Sequence, residues 1–305
     1  MKQENKALLE CRDLKKVFRQ GRNTVLAVHD LSLSIRRGEV FGLVGESGCG
    51  KSTLGHLVTG IEEPTAGTLL LNGEDVTRPA KKRRRELCKQ RQIIFQDPYA
   101  SIDTGKTIGW LLEEPLKIHK LSDRPERIER ILAAVGLDKS YLKRFPGELS
   151  GGQRQRVAIA LALILEPEFV VCDEPVSALD VSVQAQVLNL LLDLRASLGL
   201  TYLFISHDLN VVSYLSDRVG VMYLGNLIEL GSNEEIIKTP LHPYTKALFS
   251  AAQGGVLSGE LPSPADPPGG CPFHTRCPEC TERCKTEKPP KKDLGGGRMV
   301  LCWNR

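Results

Sequence analysis

Gly45-Glu46-Ser47-Gly48-Cys49-Gly50-Lys51-Ser52 fits the pattern G-x-x-x-x-G-K-[ST] and follows the apolar run Val40-Phe41-Gly42-Leu43-Val44, which reads as a buried strand. Glycines at these positions let backbone N–H groups crowd around a polyphosphate. The helix that follows, with apolar Leu54, Leu57 and Val58, offers its positive end. Lys51 reaches the terminal phosphates and Ser52, next to Thr53, holds Mg²⁺. The stretch implies a nucleoside triphosphate and, by itself, no particular reaction.

The 305 residues, 41% of them hydrophobic, suffice for one large core with a smaller appendage. The longest apolar stretch, Val157 to Leu165, is too short to span a bilayer, and the polar start Met1-Lys2-Gln3-Glu4-Asn5-Lys6 lacks a signal-peptide layout, so a cytosolic protein is expected. Lys+Arg exceeds Asp+Glu by 41 − 37 = 4, too small an imbalance to demand a polyanionic partner, and no nucleic acid is expected. The run Lys81-Lys82-Arg83-Arg84-Arg85 reads as a solvated helix face. His29, His56, His119, His242 and His274 are read as surface or packing residues.

Outward from the loop, Leu31-Ser32-Leu33-Ser34-Ile35 alternates as a half-buried strand, and Leu69-Leu70-Leu71-Asn72-Gly73 reads as strand and turn, so the opening quarter is β-rich. From about Asp97 the texture turns helical, with Ile128, Ile131, Leu132 and Val135 on one face before a Gly136 stop. Beyond it, Glu168–Asp173 and Thr201–Ser206 read as strands separated by a helix with Val183, Val187, Leu190, Leu191 and Leu194 on one stripe. Strands alternating with helices imply a parallel sheet, whose ligands bind beyond the carboxyl ends of the strands. The phosphate loop, Asp173-Glu174 and His207 all follow such ends. A carboxylate at Asp173 suits Mg²⁺, while Glu174 suits polarising an attacking water.

Leu149-Ser150-Gly151-Gly152-Gln153 precedes a helix running through Val157, Ile159 and Leu161, and here the chain resembles the ABC-type ATPases, whose signature is this segment. Their other motifs are present in family order: Phe18 as the adenine-stacking aromatic, Gln96, Ser177-Ala178-Leu179-Asp180, and His207 in Ser206-His207-Asp208. The resemblance implies an α/β, P-loop ABC-type ATPase with a RecA-like core, a β-rich N-terminal part and an inserted helical subdomain at about 97–165. Residues 1–250 would form this nucleotide-binding domain and 251–305 a Pro-linked, Cys-rich extension. It implies ATP bound by Phe18, residues Gly45, Glu46, Ser47, Gly48, Cys49, Gly50, Lys51, Ser52 and Thr53, Gln96, Asp173 and Asp180. Ser150, Gly151, Gly152 and Gln153 would cover the ATP of a partner, and Ser52, Gln96 and Asp173 would arrange Mg²⁺. Lys51, Gln96, Glu174 as general base and His207 as γ-phosphate sensor make up the catalytic set.

Within that family, Phe95–Ser101, Asp173–Ser182, Thr239–Leu248 and the tail Leu261–Pro264 with Gly270–Cys277 resemble the dipeptide, oligopeptide and nickel importer branch. Two departures stand out: Ile102-Asp103-Thr104 where the branch has Leu-Asn-Pro, and Leu161 in place of an arginine. The branch implies ATP-driven import of short peptides, with nickel import or a soluble clamp on nucleic acid or protein as alternatives. Its implied partners are a second ABC-type ATPase subunit, paralogous or identical, two membrane-spanning permease subunits and, indirectly, an extracytoplasmic solute-binding protein. The implied place is the cytoplasmic face of the membrane, held peripherally.

Cys271, Cys277, Cys280, Cys284 and Cys302 crowd the last 35 residues behind a four-proline stretch, Leu261 to Gly270. In a reducing compartment such crowding suggests a metal before disulfides, yet the spacing matches neither the usual zinc patterns nor the common ferredoxin run. The resemblance implies a 4Fe–4S cluster on Cys271, Cys277, Cys284 and Cys302. Structural zinc and free thiols are the alternatives, and Cys280 is a substitute ligand. A metal crosslink is expected to order a tail that has few apolar residues for a core of its own.

Overall fold

The computed structural model describes residues 7–21, 23–252, 254–255 and 259–305. The chain folds as two compact units, one of residues up to Ala80 together with Leu203–Arg305, the other Lys81–Tyr202.

In the first unit, Asn23–Arg36, Ala7–Gln20, Ala66–Leu71 and Glu74–Asp75 form an antiparallel sheet in that order. Its register sets Leu9 between Ile35 and Leu71, and Cys11 between Leu33 and Leu69, so one face is continuously apolar. Leu9, Leu14, Leu31 and Ile35 are fully buried there.

A second sheet of this unit runs Lys291–Asp293, Met299–Leu301, Asn226–Ser232, Arg218–Tyr223, Val40–Val44. Val40–Val44 is parallel to Arg218–Tyr223, and all five of its residues are buried, as a strand covered on both faces must be. The helix Leu209–Leu215 covers it so closely that a Cβ on Gly42 would lie 2.4 Å from Val212 Cγ1. The last strands were not signalled by the sequence: Met299–Leu301 pairs antiparallel with Asn226–Ser232, and Lys291–Asp293 adds to its far side.

In the second unit, Arg91–Ile94 lies parallel to Phe169–Asp173 in the register Ile94 opposite Cys172. Helices Ile108–Ile118, Arg124–Ala134 and Gly151–Leu163 follow from sequence cues. Thr107 caps the first, Pro125 opens the second, and Gly136 beyond it takes φ 70°, a conformation that ends the helix. Gly151–Leu163 buries Val157, Ile159, Ala160 and Leu163 around most of its circumference, which makes it an interior helix. Val181–Leu198 buries Val187, Leu190, Leu191 and Leu194 as its stripe requires, whereas Val183 is only half-buried, its Cγ1 lying over Gly152. Among the described residues no helix is long and apolar enough to cross a membrane.

Candidate functional site

The candidate residues divide between the two units. In the first, the strand Val40–Val44 delivers the chain into the glycine loop, and the helix Lys51–Thr59 leaves it from Gly50. Two glycines there are steric necessities. A Cβ on Gly50 (φ 103°) would lie 2.1 Å from the Ala27 carbonyl oxygen, and one on Gly45 (φ 154°) 2.3 Å from that of Met222. Gly48, also left-handed at φ 78°, faces open space. Lys51 is buried, and its Nζ donates to the carbonyls of Gly45 at 2.7 Å and Glu46 at 3.1 Å, so its ammonium sits inside the curl of the loop. Cys49 is buried beneath it, which pushes its thiol pKa up. Ser52 and Thr53 are half-buried in the first helical turn.

The Ser206 amide donates to the Leu43 carbonyl at 3.2 Å, which ties the end of Thr201–Ile205 to the loop's own strand and brings exposed His207 to the same edge. Ser206 Oγ and Asp208 cap the next turn by accepting from Asp208 N and Asn210 N. Phe18 is half-buried on Ala7–Gln20, with Lys16 Nζ 4.8 Å from its ring centroid. The ammonium makes a cation–π contact with that ring.

In the second unit, the register of Arg91–Ile94 on Phe169–Asp173 decides the chemistry. With Ile94 opposite Cys172, residues 96 and 174 emerge side by side, and Gln96 Nε2 donates to Glu174 Oε2 at 3.1 Å. Asp173 is buried at the strand end, while Glu174 takes the left-handed φ 46°, a strained conformation for a residue with a side chain. Its carbonyl accepts from the Ser177 amide and hydroxyl. The exposed Asp180 starts Val181–Leu198, its carbonyl accepting from Val183 N and Gln184 N.

Ser150 opens Gly151–Leu163 with a reciprocal cap: its Oγ accepts from Gln153 N at 3.4 Å and its amide donates to Gln153 Oε1 at 3.1 Å. Gln153 Nε2 donates to Tyr141 Oη. Gly152 is required by its neighbour, since a Cβ would meet Val183 Cγ1 at 2.8 Å. Arg154, which sequence reasoning passed over, is buried here and donates to the carbonyls of Pro146 and Leu149. Its guanidinium lies 3.4 Å from the Tyr99 ring centroid, joining the segment after Gln96 to the signature.

The cysteines of the C-terminal segment all belong to the first unit. Cys271, Cys284 and Cys302 are buried and Cys277 half-buried, and Cys271 is pushed up to about 11 by burial and by the charges of Cys284, Cys302 and Cys277. Four thiols in one segment are a donor set of the right chemistry for a soft metal. Yet among the described residues no three His, Cys, Asp or Glu are gathered closely enough to hold a metal ion. The segment also has packing of its own: Phe273, fully buried, packs at 5.3 Å from both Tyr223 and Tyr244, and Met299–Leu301 extends a sheet. Cys280 is half-buried, its thiol donating to the Thr281 carbonyl.

A further contact had no local signal. Arg276 donates from both terminal nitrogens to both carboxylate oxygens of Glu46, at 2.7 and 3.2 Å. Burial works against the Arg276 cation, but Glu46 and Tyr223 outweigh it and hold its pKa above the ordinary arginine value. His242 is buried, as a packing role requires. Its Nδ1 accepts from Tyr244 N, and its pKa falls to about 3 through burial and the nearby Arg305 charge.

Known proteins resemble the chain both in sequence and in fold. The profile of a family described as "ABC transporter" matches residues 28–177, and "Oligopeptide/dipeptide transporter, C-terminal region" matches 228–284. The chain is 47% identical to an oligopeptide transport ATP-binding protein, AppF, of Bacillus subtilis, over 97% of this chain and 96% of that one. It is 47% identical to the dipeptide transport ATP-binding protein DppF of Haemophilus influenzae, over 99% and 98%. Among solved structures, the dimeric post-hydrolysis state of the ATP-binding cassette MJ0796, bound to ADP and Pi, superposes with TM-score 0.67 at 25% identity, covering 74% of this chain and 98% of that one. CbiO1 of Clostridium perfringens, part of the transporter complex cbiONQ, gives TM-score 0.67 at 27% identity over 76% and 91%.

Proposed function

We infer the function from one premise: the chain belongs to the ABC transporter family, as a near-full-length relative of the ATP-binding proteins of oligopeptide and dipeptide transport. It is an ATPase that powers the import of short peptides. Relatives named for oligopeptides and dipeptides favour peptide cargo over nickel, and over a soluble clamp on nucleic acid or protein.

The observation that carries the ATPase reading is the glycine loop, in which two positions admit no side chain and buried Lys51 occupies the centre. Residues Gly45 to Thr53 bind the phosphates of ATP through backbone amides and Lys51, and Phe18 stacks on adenine. Mg²⁺, taken up through Ser52, Gln96 and Asp173, would neutralise charge on the β- and γ-phosphates. Glu174 accepts the proton of a water as its oxygen attacks the γ-phosphorus and the bond to the ADP oxygen breaks. Gln96, hydrogen-bonded to Glu174, orients that carboxylate. His207 contacts the γ-phosphate.

Ser150, Gly151, Gly152 and Gln153 present a helix start to a phosphate supplied by another molecule. The partner is therefore a second ATPase subunit, identical or paralogous, with Asp180 at the boundary between the two. The dimer works on the cytoplasmic face of a membrane beneath two permease subunits, which receive peptides from an extracytoplasmic binding protein. Residues 251–305 act as a Cys-rich domain after the ATPase domain 1–250, whose helical part is about 97–165. Cys271, Cys277, Cys284 and Cys302 take a 4Fe–4S cluster, a reading supported by the resemblance and by the four-thiol donor set. Iron and acid-labile sulfide in anaerobically purified protein test it; stoichiometric zinc without iron rejects it.

The reaction itself is tested by Glu174→Gln in the reconstituted transporter. ATP binding should persist while turnover falls at least about 10²-fold, about 3 kcal/mol. Hydrolysis at the normal rate would remove Glu174 from the base role. Stimulation of the wild-type ATPase by dipeptides or oligopeptides but not Ni²⁺ is the expected cargo result, and the reverse pattern overturns it.

A further inference from the structure

We propose that Arg276, 230 residues along the chain from the phosphate loop, is a positioning residue for nucleotide binding: its guanidinium clamps Glu46 and thereby holds the loop's first turn in the shape that receives a triphosphate. The inference rests on the reading of residues 45–52 as the ATP site.

Residue 46 is gripped at three points. Its amide donates to Tyr244 Oη at 3.0 Å, its carbonyl accepts from Lys51 Nζ at 3.1 Å, and its carboxylate takes the two-pronged bond from Arg276. A fork-on-fork pair fixes orientation as well as distance, which a lysine on a flexible stem does not. The Arg276 side chain is only 3% exposed and that of Glu46 23%, so the pair is better shielded than the surface ion pairs that solvent weakens.

Arg276 is itself held. Its amide donates to the Phe273 carbonyl, and Phe273 is locked among Tyr223, Tyr244 and His242 at 5.3, 5.3 and 5.8 Å between ring centroids. The aromatic cluster that anchors the C-terminal segment thus also supplies the hydroxyl holding the Glu46 amide. Two separate elements, Pro243–Ala252 and the 274–276 turn, converge on one residue of the loop.

The clamp acts on binding in two ways. A loop already in its binding shape spares the bound state the ordering that a loose loop must undergo. Arg276 also neutralises a carboxylate that would otherwise stand unpaired beside an incoming polyanion. Neither effect requires Arg276 to touch the reacting atoms, so it is not a catalytic residue.

The test is ATP titration of the full chain, with turnover measured at saturating ATP and melting temperature recorded alongside. Arg276→Ala should raise the ATP Kd about tenfold, 1.4 kcal/mol, with kcat within about twofold of wild type. Arg276→Lys should recover part of the affinity. Glu46→Gln removes the repulsion together with the charge half of the clamp, so it should weaken ATP less than Arg276→Ala, and the double variant should be no worse than Arg276→Ala alone. Wild-type Kd in folded Arg276→Ala overturns the proposal, as does a loss confined to kcat. Should Arg276→Ala fail to fold, wild-type Kd in both Glu46→Gln and Arg276→Lys does the same. No ATP binding by the wild-type chain would instead refute the ATP reading on which the proposal stands.

Discussion

The helix Lys51–Thr59 starts from Gly50, left-handed at φ 103° and without a side-chain cap, whereas Gly151–Leu163 starts from Ser150, extended at φ −65° and closed by a reciprocal cap with Gln153. Both are glycine-rich helix starts and both suit an anion. In the first, glycine has no side chain to occupy the first-turn amides, and the surrounding carbonyls of Ala27 and Met222 lock the backbone in place. In the second, the chain's own Ser150 and Gln153 satisfy the helix end. In the proposed function, the contrast separates a loop that binds phosphate within its own molecule from a self-capped segment that meets phosphate brought by another molecule.

The largest expected effect comes from the locked loop. Gly50→Ala forces a Cβ onto the Ala27 carbonyl at a left-handed φ, and should cost about 3 kcal/mol and abolish ATP binding. Gly48→Ala meets no atom and should cost about 1 kcal/mol. Equal melting temperatures and ATP affinities for the two variants would break the steric half of the comparison.

The loop side also depends on a neutral imidazole. His242 Nδ1 must stay unprotonated to accept from Tyr244 N, and burial lowers its pKa to about 3, against about 6.5 when unfolded. The stability this contributes is complete above pH 6.5 and is lost as the pH falls towards 3, because the unfolded chain binds the proton first. Acidifying from pH 6.5 to 5 should remove about 2 kcal/mol, read by denaturant titration, and His242→Gln should flatten that slope. An unchanged slope in the variant would remove His242 as its source.

Smaller again is the cap. Ser150→Ala loses the bond to Gln153 N and should lower stability by about 1 kcal/mol while leaving ATP binding by the isolated chain unchanged.

How much of this was legible follows from the range of each signal. The glycine loop, the serine and glycines before Gly151–Leu163 and the stripe of Val181–Leu198 are local patterns, and each reads directly from spacing. Arg91–Ile94 was missed because Arg91 and Gln92 follow a strongly charged helix and leave only Ile93 and Ile94 as an apolar cue. With it went the Gln96–Glu174 contact, although both residues were chosen for other reasons. Met299–Leu301 and Lys291–Asp293 are three-residue strands, one of them charged throughout, and no periodicity can be counted in so short a run. The Arg276–Glu46 clamp spans 230 residues and has no pattern at all. The aromatic packing and sheet pairing of the Cys-rich segment had no local signal either, because Phe273 meets Tyr223 and Tyr244 from a distant part of the chain.

The measurement that tests the central distinction most directly is an ATP titration of the isolated chain carrying Ser150→Arg. The account predicts a Kd equal to wild type, with hydrolysis lost once the chain is assembled into its transporter. Loss of ATP binding by the isolated variant would contradict it, because the signature segment would then be serving its own molecule's nucleotide.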